Sequence, residues 1–168
     1  SRGLGDVYKR QLERGVNFID TAEIYSIPPR PETQGSTERI IGSWLAARRN
    51  RDKIILATKV AGRGDMNWLR ADNAPTKLDA KNIAYAVEGS LRRLQTDYID
   101  LYQLHWPDRS LPLFGAGGTL YRRPSRREET PIEETLAALD ALVRAGKVRH
   151  VGLSNETPWG VARFLRAA

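Results

Sequence analysis

The sequence predicts an α/β fold of the parallel (β/α)8 TIM-barrel type, present as about four βα units of an incomplete barrel. Three observations predict it. Four apolar runs, at residues 16–20, 54–59, 98–104 and 147–153, alternate with four helical stretches. Strands alternating with helices make a parallel sheet with right-handed crossovers. Each run ends in, or is followed at once by, a charged or polar residue, the pattern of a buried parallel strand that delivers a side chain at its C-terminal end. The turn after the first run, Asp20-Thr21-Ala22-Glu23, holds no glycine. An open nucleotide-binding sheet usually carries a glycine-rich turn there, so the barrel is the better match.

The elements follow in order. Residues 1–10 show no period, and they read as a non-native or disordered leader to a domain spanning residues 11–168. Residues 11–15 read as the tail of a helix that leads into the first strand, Val16 to Asp20. Tyr25 lies in the loop that follows, and Pro28, Pro29 and Pro31 keep that loop irregular. Ser36 or Thr37 is the expected N-cap of the next helix, with Glu38 in its first turn and Ile40, Ile41, Trp44 and Leu45 as its apolar face. The second strand ends in Lys59, and a polar loop fills residues 61–78. Asp79 caps a helix with Ile83, Val87, Leu91 and Leu94 at helical spacing. The third strand closes on His105 before Trp106-Pro107, and a glycine- and arginine-rich loop runs over residues 107–130. Thr130-Pro131-Ile132-Glu133 reads as a capping box with proline at the first helical position. That helix stops at Gly146. The fourth strand ends in Ser154-Asn155, and Thr157-Pro158 starts the last helix.

Composition narrows the function classes. Of 168 residues, 40% are hydrophobic and 28% charged, which is a globular balance. The absence of cysteine excludes disulfides and thiolate metal sites and leaves the cytoplasm as the default location. No apolar run reaches membrane-spanning length. The net charge of +7 raises a nucleic-acid partner. The basic clusters at residues 48–51 and 122–127 carry no interleaved aromatics for base stacking, and the second runs into Glu128-Glu129. No nucleic-acid partner is expected.

In a βα barrel the C-terminal strand ends form the active face. Here they carry Asp20, Lys59, His105 and Asn155, with Tyr25 just beyond the first. Singly each has a plain structural role: a turn cap, a snorkelling lysine, a satisfied histidine, a helix cap. At four consecutive strand ends they form one constellation. A tyrosine hydroxyl is a weak acid, with a reference pKa of about 10. A neighbouring ammonium is expected to lower it. Asp20 would hold Lys59 by a charge-assisted bond. His105 could orient a carbonyl oxygen or help move a proton. Together these make a general acid beside an oxyanion-stabilising site, suited to carbonyl reduction once a nicotinamide supplies hydride. Ser154 and Asn155 would hold the ring's carboxamide. Trp106 and Trp68 are candidate walls of a substrate pocket.

At these residues the chain resembles the aldo-keto reductase family. The motifs are G-V-N-F-I-D-T-A-E-I-Y at 15–25, L-A-T-K-V at 56–60, Y-I-D-L-Y-Q-L-H-W-P at 98–107 and V-G-L-S-N at 151–155. The stretches at 27–35, 92–98 and 154–157 resemble a bacterial Tas-type subgroup. The resemblance implies that Asp20, Tyr25, Lys59 and His105 are the catalytic tetrad, with Tyr25 the proton donor. It implies that Asp20, Ser154 and Asn155 contact the cofactor, NADPH by family default, and that the substrate is a small-molecule aldehyde or ketone. It also implies that the chain covers the second to fifth of eight strands. The family's last strands supply the group that stacks on nicotinamide, the pyrophosphate loop and the 2′-phosphate pocket. Alternatives are a nucleotide-binding regulatory subunit of the same fold, an inactive truncated product, and a metal-dependent hydrolase using Asp20, Glu23 and His105. One histidine at the mouth is few for a divalent ion, and Lys59 would repel it, so no metal is expected.

Overall fold

The strand ends are brought together by a four-stranded, wholly parallel sheet in sequential order. The computed structural model describes residues 2–111, 113 and 128–168. Its strands are β1 (Phe18–Asp20), β2 (Ile55–Val60), β3 (Ile99–Leu104) and β4 (Val148–Leu153). Each pairs in parallel with the next, and the order is β1-β2-β3-β4. The helices are α1 (Arg2–Glu13), α2 (Ser36–Arg48), α3 (Ala80–Leu94), α4 (Ile132–Arg144) and α5 (Pro158–Ala167). Among the described residues no helix is long and apolar enough to cross a membrane.

Alternation along each strand sorts the side chains. Leu56 and Val60 of β2, with Tyr102 and Leu104 of β3, point into a core completed by helix residues. Those partners include Ile41, Trp44 and Leu45 of α2, Ile83, Val87 and Leu91 of α3, Leu139 and Leu142 of α4, and Phe164 of α5. The opposite face carries Phe18 and Ile55, paired across β1 and β2 and 49% and 41% exposed. One covered face and one open apolar face is the layout of a barrel wall whose interior side looks inward.

Local chemistry departs from expectation at three places. The helical signal begins at residue 11 in the sequence, yet α1 extends back to Arg2. Tyr8 and Leu12, four residues apart on one helix face, pack against the core, and the Tyr8 ring lies 5.3 Å from that of Trp44. Neither Ser36 nor Thr37 caps α2; Ser36 is already helical, and the cap position is Gly35 at φ 68° with no side-chain bond. The capping box at Thr130 does not form. Thr130 instead donates its hydroxyl to Asp108 Oδ2 at 2.9 Å and its amide to Oδ1 at 3.2 Å, and Pro131 takes the cap position of α4. Asp108 is a buried carboxylate that gathers Thr130, Leu78 N and Arg63, and with Pro131 at the cap position the N-terminal end of α4 has no side-chain cap. Asp79 and Thr157 do cap α3 and α5, accepting from Asn82 N and Gly160 N. Most of the 107–130 loop, including the 122–127 arginines, lies outside the described residues.

Candidate active site

Asp20 closes β1, Lys59 is the penultimate residue of β2, His105 follows β3, and Ser154-Asn155 follow β4. The parallel register sets their heights: Asp20 pairs with Ala57, and Lys59 pairs with Gln103. Lys59 is 5% exposed and gives its ammonium to Asp20 Oδ2 at 2.5 Å and to Thr21 O at 2.9 Å. The same ammonium lies 5.4 Å from the centre of the Tyr25 ring. The rings of Tyr25 and His105 meet edge to face at 5.6 Å. Four predicted residues from three separate strand ends therefore share one cluster. The Tyr25 hydroxyl makes no hydrogen bond among the described residues.

Tyr25 reaches this position because the segment behind β1 is tied down. Thr21 N donates to Ala57 O and Glu23 N to Lys59 O, so the chain runs alongside the end of β2. Glu23 is 2% exposed. Its carboxylate takes Ala61 N at 2.7 Å and both terminal nitrogens of Arg70 at 3.1 Å. Arg70 in turn donates to Asn82 Oδ1 at the start of α3. Glu23 is thus committed to Arg70 and the Ala61 amide, and among the described residues no group of three or more His, Asp or Glu side chains gathers as a metal site would. Behind Tyr25, Trp106 packs with Ala22, Ile24, Ala61 and Leu69, and Trp68 and Tyr25 lie against the same cluster. Gly62 permits this: a Cβ there would lie 2.0 Å from Trp106 O.

The end of β4 is stitched to the end of β3. Ser154 N donates to Leu104 O, and Asn155, at φ 51°, donates its amide to His105 O at 2.8 Å and to Ser154 Oγ at 3.1 Å. Asn155 is accordingly a strut on the β3 loop, while Thr157 is the helix cap. Arg109 pairs with Glu156 and further joins the two loops.

Electrostatics corrects one expectation. The Tyr25 hydroxyl is raised above its ordinary range, by burial first and by the Asp20 charge second. The expected lowering does not appear, because burial of the hydroxyl is the larger influence and the Asp20 charge adds to it. His105 is pushed down to about 4, chiefly by burial and then by Lys59, with Asp20 opposing. It is neutral near pH 7, and its buried Nδ1 has no hydrogen-bond partner among the described residues. With Nδ1 buried, Nε2 is the ring nitrogen that a ligand can reach.

Arg70 and Gln103 escaped the sequence reading, and Glu23 was weighed there only as a metal ligand. Glu23 and Arg70 are 47 residues apart and announce nothing locally. Gln103 donates Nε2 to Asp20 Oδ1 at 3.0 Å. Its signal is legible in hindsight: a polar residue inside an apolar strand, two before His105, belongs to the face that carries the site.

The model of the aldo/keto reductase family matches residues 5–168. Escherichia coli (strain K12) Protein tas is 49% identical over 159 residues, which is 94% of this chain and 44% of that protein. Aldo-keto reductase YhdN of Bacillus subtilis (strain 168) is 37% identical over 150 residues, 89% of this chain and 36% of its own length. The chain thus spans less than half the length of these curated relatives. Among solved structures, an aldo-keto reductase from Bacillus halodurans in its holo form superposes with a TM-score of 0.68 at 34% identity, covering 98% of this chain and 45% of that one. An aldo/keto reductase from Klebsiella pneumoniae in complex with NADP and acetate gives 0.68 at 29% identity, covering 98% and 43%.

Proposed function

Since this chain belongs to the aldo/keto reductase family, we propose that its site reduces a small-molecule aldehyde or ketone with NADPH, Tyr25 donating the proton. The observation that supports the reading most directly is the cluster itself: a free tyrosine hydroxyl beside a Lys59–Asp20 pair and a neutral histidine.

The residues present fit a nicotinamide. The Asn155 amide oxygen and the Ser154 hydroxyl hydrogen have no partner among the described residues, an acceptor and a donor that suit a carboxamide. When bound, the reduced ring supplies hydride to the carbonyl carbon. The chain does the rest. His105, neutral, directs an Nε2–H toward the carbonyl oxygen and polarises it. Tyr25 gives its proton to that oxygen as the alcohol forms. The tyrosinate left behind is stabilised by the Lys59 ammonium, and a proton from solvent restores it. In the resting state the raised Tyr25 keeps its proton through the neutral range, so the acid is loaded before substrate arrives. Lys59, fixed by Asp20 and Thr21 O, needs no rearrangement as charge develops.

Tyr25→Phe tests the assignment, in this chain as it stands and extended to the length of its curated relatives. NADPH-dependent reduction of a panel of aldehydes and ketones is expected to fall by about 10²–10⁴-fold. NADPH binding, followed by its fluorescence, is expected to persist. Turnover that survives the change overturns Tyr25 as the acid.

A further inference from the structure

We propose that Gln103 is a positioning residue that holds Asp20 so that the Asp20–Lys59 pair stays aimed at Tyr25. The inference rests on the reductase reading above. It starts from the two ends of the Asp20 carboxylate. Oδ2 takes Lys59 at 2.5 Å and Oδ1 takes Gln103 at 3.0 Å. Each oxygen is thus held by a different strand.

The register makes this possible. Gln103 lies directly across from Lys59, and on its other side pairs with Gly152. A Cβ at Gly152 would stand 3.4 Å from Gln103 Cγ and 3.3 Å from Leu101 Cδ1. The bare glycine leaves Gln103 room to lean across Lys59 toward β1.

The need for a second tether follows from exposure. The Asp20 side chain is 45% exposed, against 7% for Lys59. An ion pair with one partner half in water holds its geometry weakly, because solvated rotamers compete. A neutral amide donor at position 103 removes those rotamers without adding a charge. A cation there would compete with Lys59 for the carboxylate. The titratable groups facing the pair are Tyr25 from the loop after β1 and His105 from the end of β3. Both feel where Asp20 points.

Two substitutions test the idea in the purified protein, with Tyr25→Phe alongside. Gln103→Leu removes the donor and keeps the bulk. Gln103→Glu keeps the shape and turns the donor into a carboxylate that repels Asp20. Gln103→Leu is expected to lower kcat by about 10- to 100-fold, the scale of a small misplacement, with NADPH affinity within about twofold. Gln103→Glu is expected to lose more. In Gln103→Leu the alkaline limb of the kcat profile moves to lower pH, because the Asp20 charge, which adds to burial in raising Tyr25, swings away. Wild-type kcat with an unmoved limb in both variants overturns the proposal. So does a kcat loss matched by equal losses of NADPH affinity and thermal stability, which marks a merely structural residue. If Tyr25→Phe remains active, Tyr25 is not the acid, and the aiming of the Asp20–Lys59 pair at Tyr25 fails with that assignment rather than through Gln103.

Discussion

The two ends of one sheet use the same residue types to opposite effect. At the N-terminal end, Asp100 of β3 takes Leu56 N at 2.9 Å, Arg51 at 2.7 Å and Arg149 at 2.8 Å. Both guanidinium groups also lie over the Tyr98 ring, at 3.9 and 4.1 Å. Burial pushes the Asp100 carboxyl up, but those bonds and charges outweigh it and hold it below the usual range. At the C-terminal end, Asp20 and Lys59 are paired, yet Tyr25 is held up, His105 is held down, and His105 Nδ1 has no described partner. Saturated charge is what a barrel's stability face needs. Groups kept away from their ordinary ionisation are what acid–base chemistry needs. The contrast lies in how completely each charge is satisfied.

The largest expected effect breaks the saturated end. Asp100→Ala leaves Arg51 and Arg149 without their carboxylate and Leu56 N without its acceptor. A loss of about 3–5 kcal/mol in unfolding free energy is expected, the range for breaking a buried pair. Denaturant melts of the purified protein measure it, and kcat per folded molecule should hardly change. A variant as stable as the parent, but slow, would reverse the roles assigned to the two ends.

The next effect probes the unsaturated end through pH. His105 sits at about 4 when folded, against an ordinary 6.5. The unfolded chain therefore binds this proton more readily. Stability rises with pH across that window and is lost as pH falls from 6.5 toward 4, by at most about 3 kcal/mol. His105→Leu should flatten that part of the stability profile. An unchanged slope would mean that His105 titrates as it would in water.

How much of this was legible in the sequence follows the same division. The strand ends could be read because an apolar run that stops at Asp20, Lys59 or His105 states its own geometry. Parallel pairing then brings residues 20, 59 and 105 together. Interactions that depend on register could not be read, since nothing near Gln103 says that it faces Lys59. Glu23 and Arg70 meet only through the folded loop. Nor does anything near Thr130 announce Asp108, whose carboxylate takes both its hydroxyl and its amide. The direction of the Tyr25 shift was misjudged for a related reason. Burial of the hydroxyl, the larger influence on it, depends on the folded loop and cannot be read from the spacing of Asp20, Tyr25 and Lys59.

The smallest expected effect sharpens the comparison by serving as its baseline. Asp140 and Arg144 form an i,i+4 pair on α4 at 2.7 Å, as short as the Arg51–Asp100 contact, but with side chains 54% and 80% exposed. If bond length set the contribution, the two pairs would be worth the same. If burial and the number of partners set it, Asp140→Ala should cost only about 0.2–0.5 kcal/mol. Raising salt should shrink even that, while leaving the Asp100 cluster almost untouched. A double-mutant cycle across Asp140 and Arg144, run beside one across Arg51 and Asp100, separates the two accounts. Equal coupling energies would remove the physical basis for treating the N-terminal cluster as a stability device distinct from ordinary surface pairs.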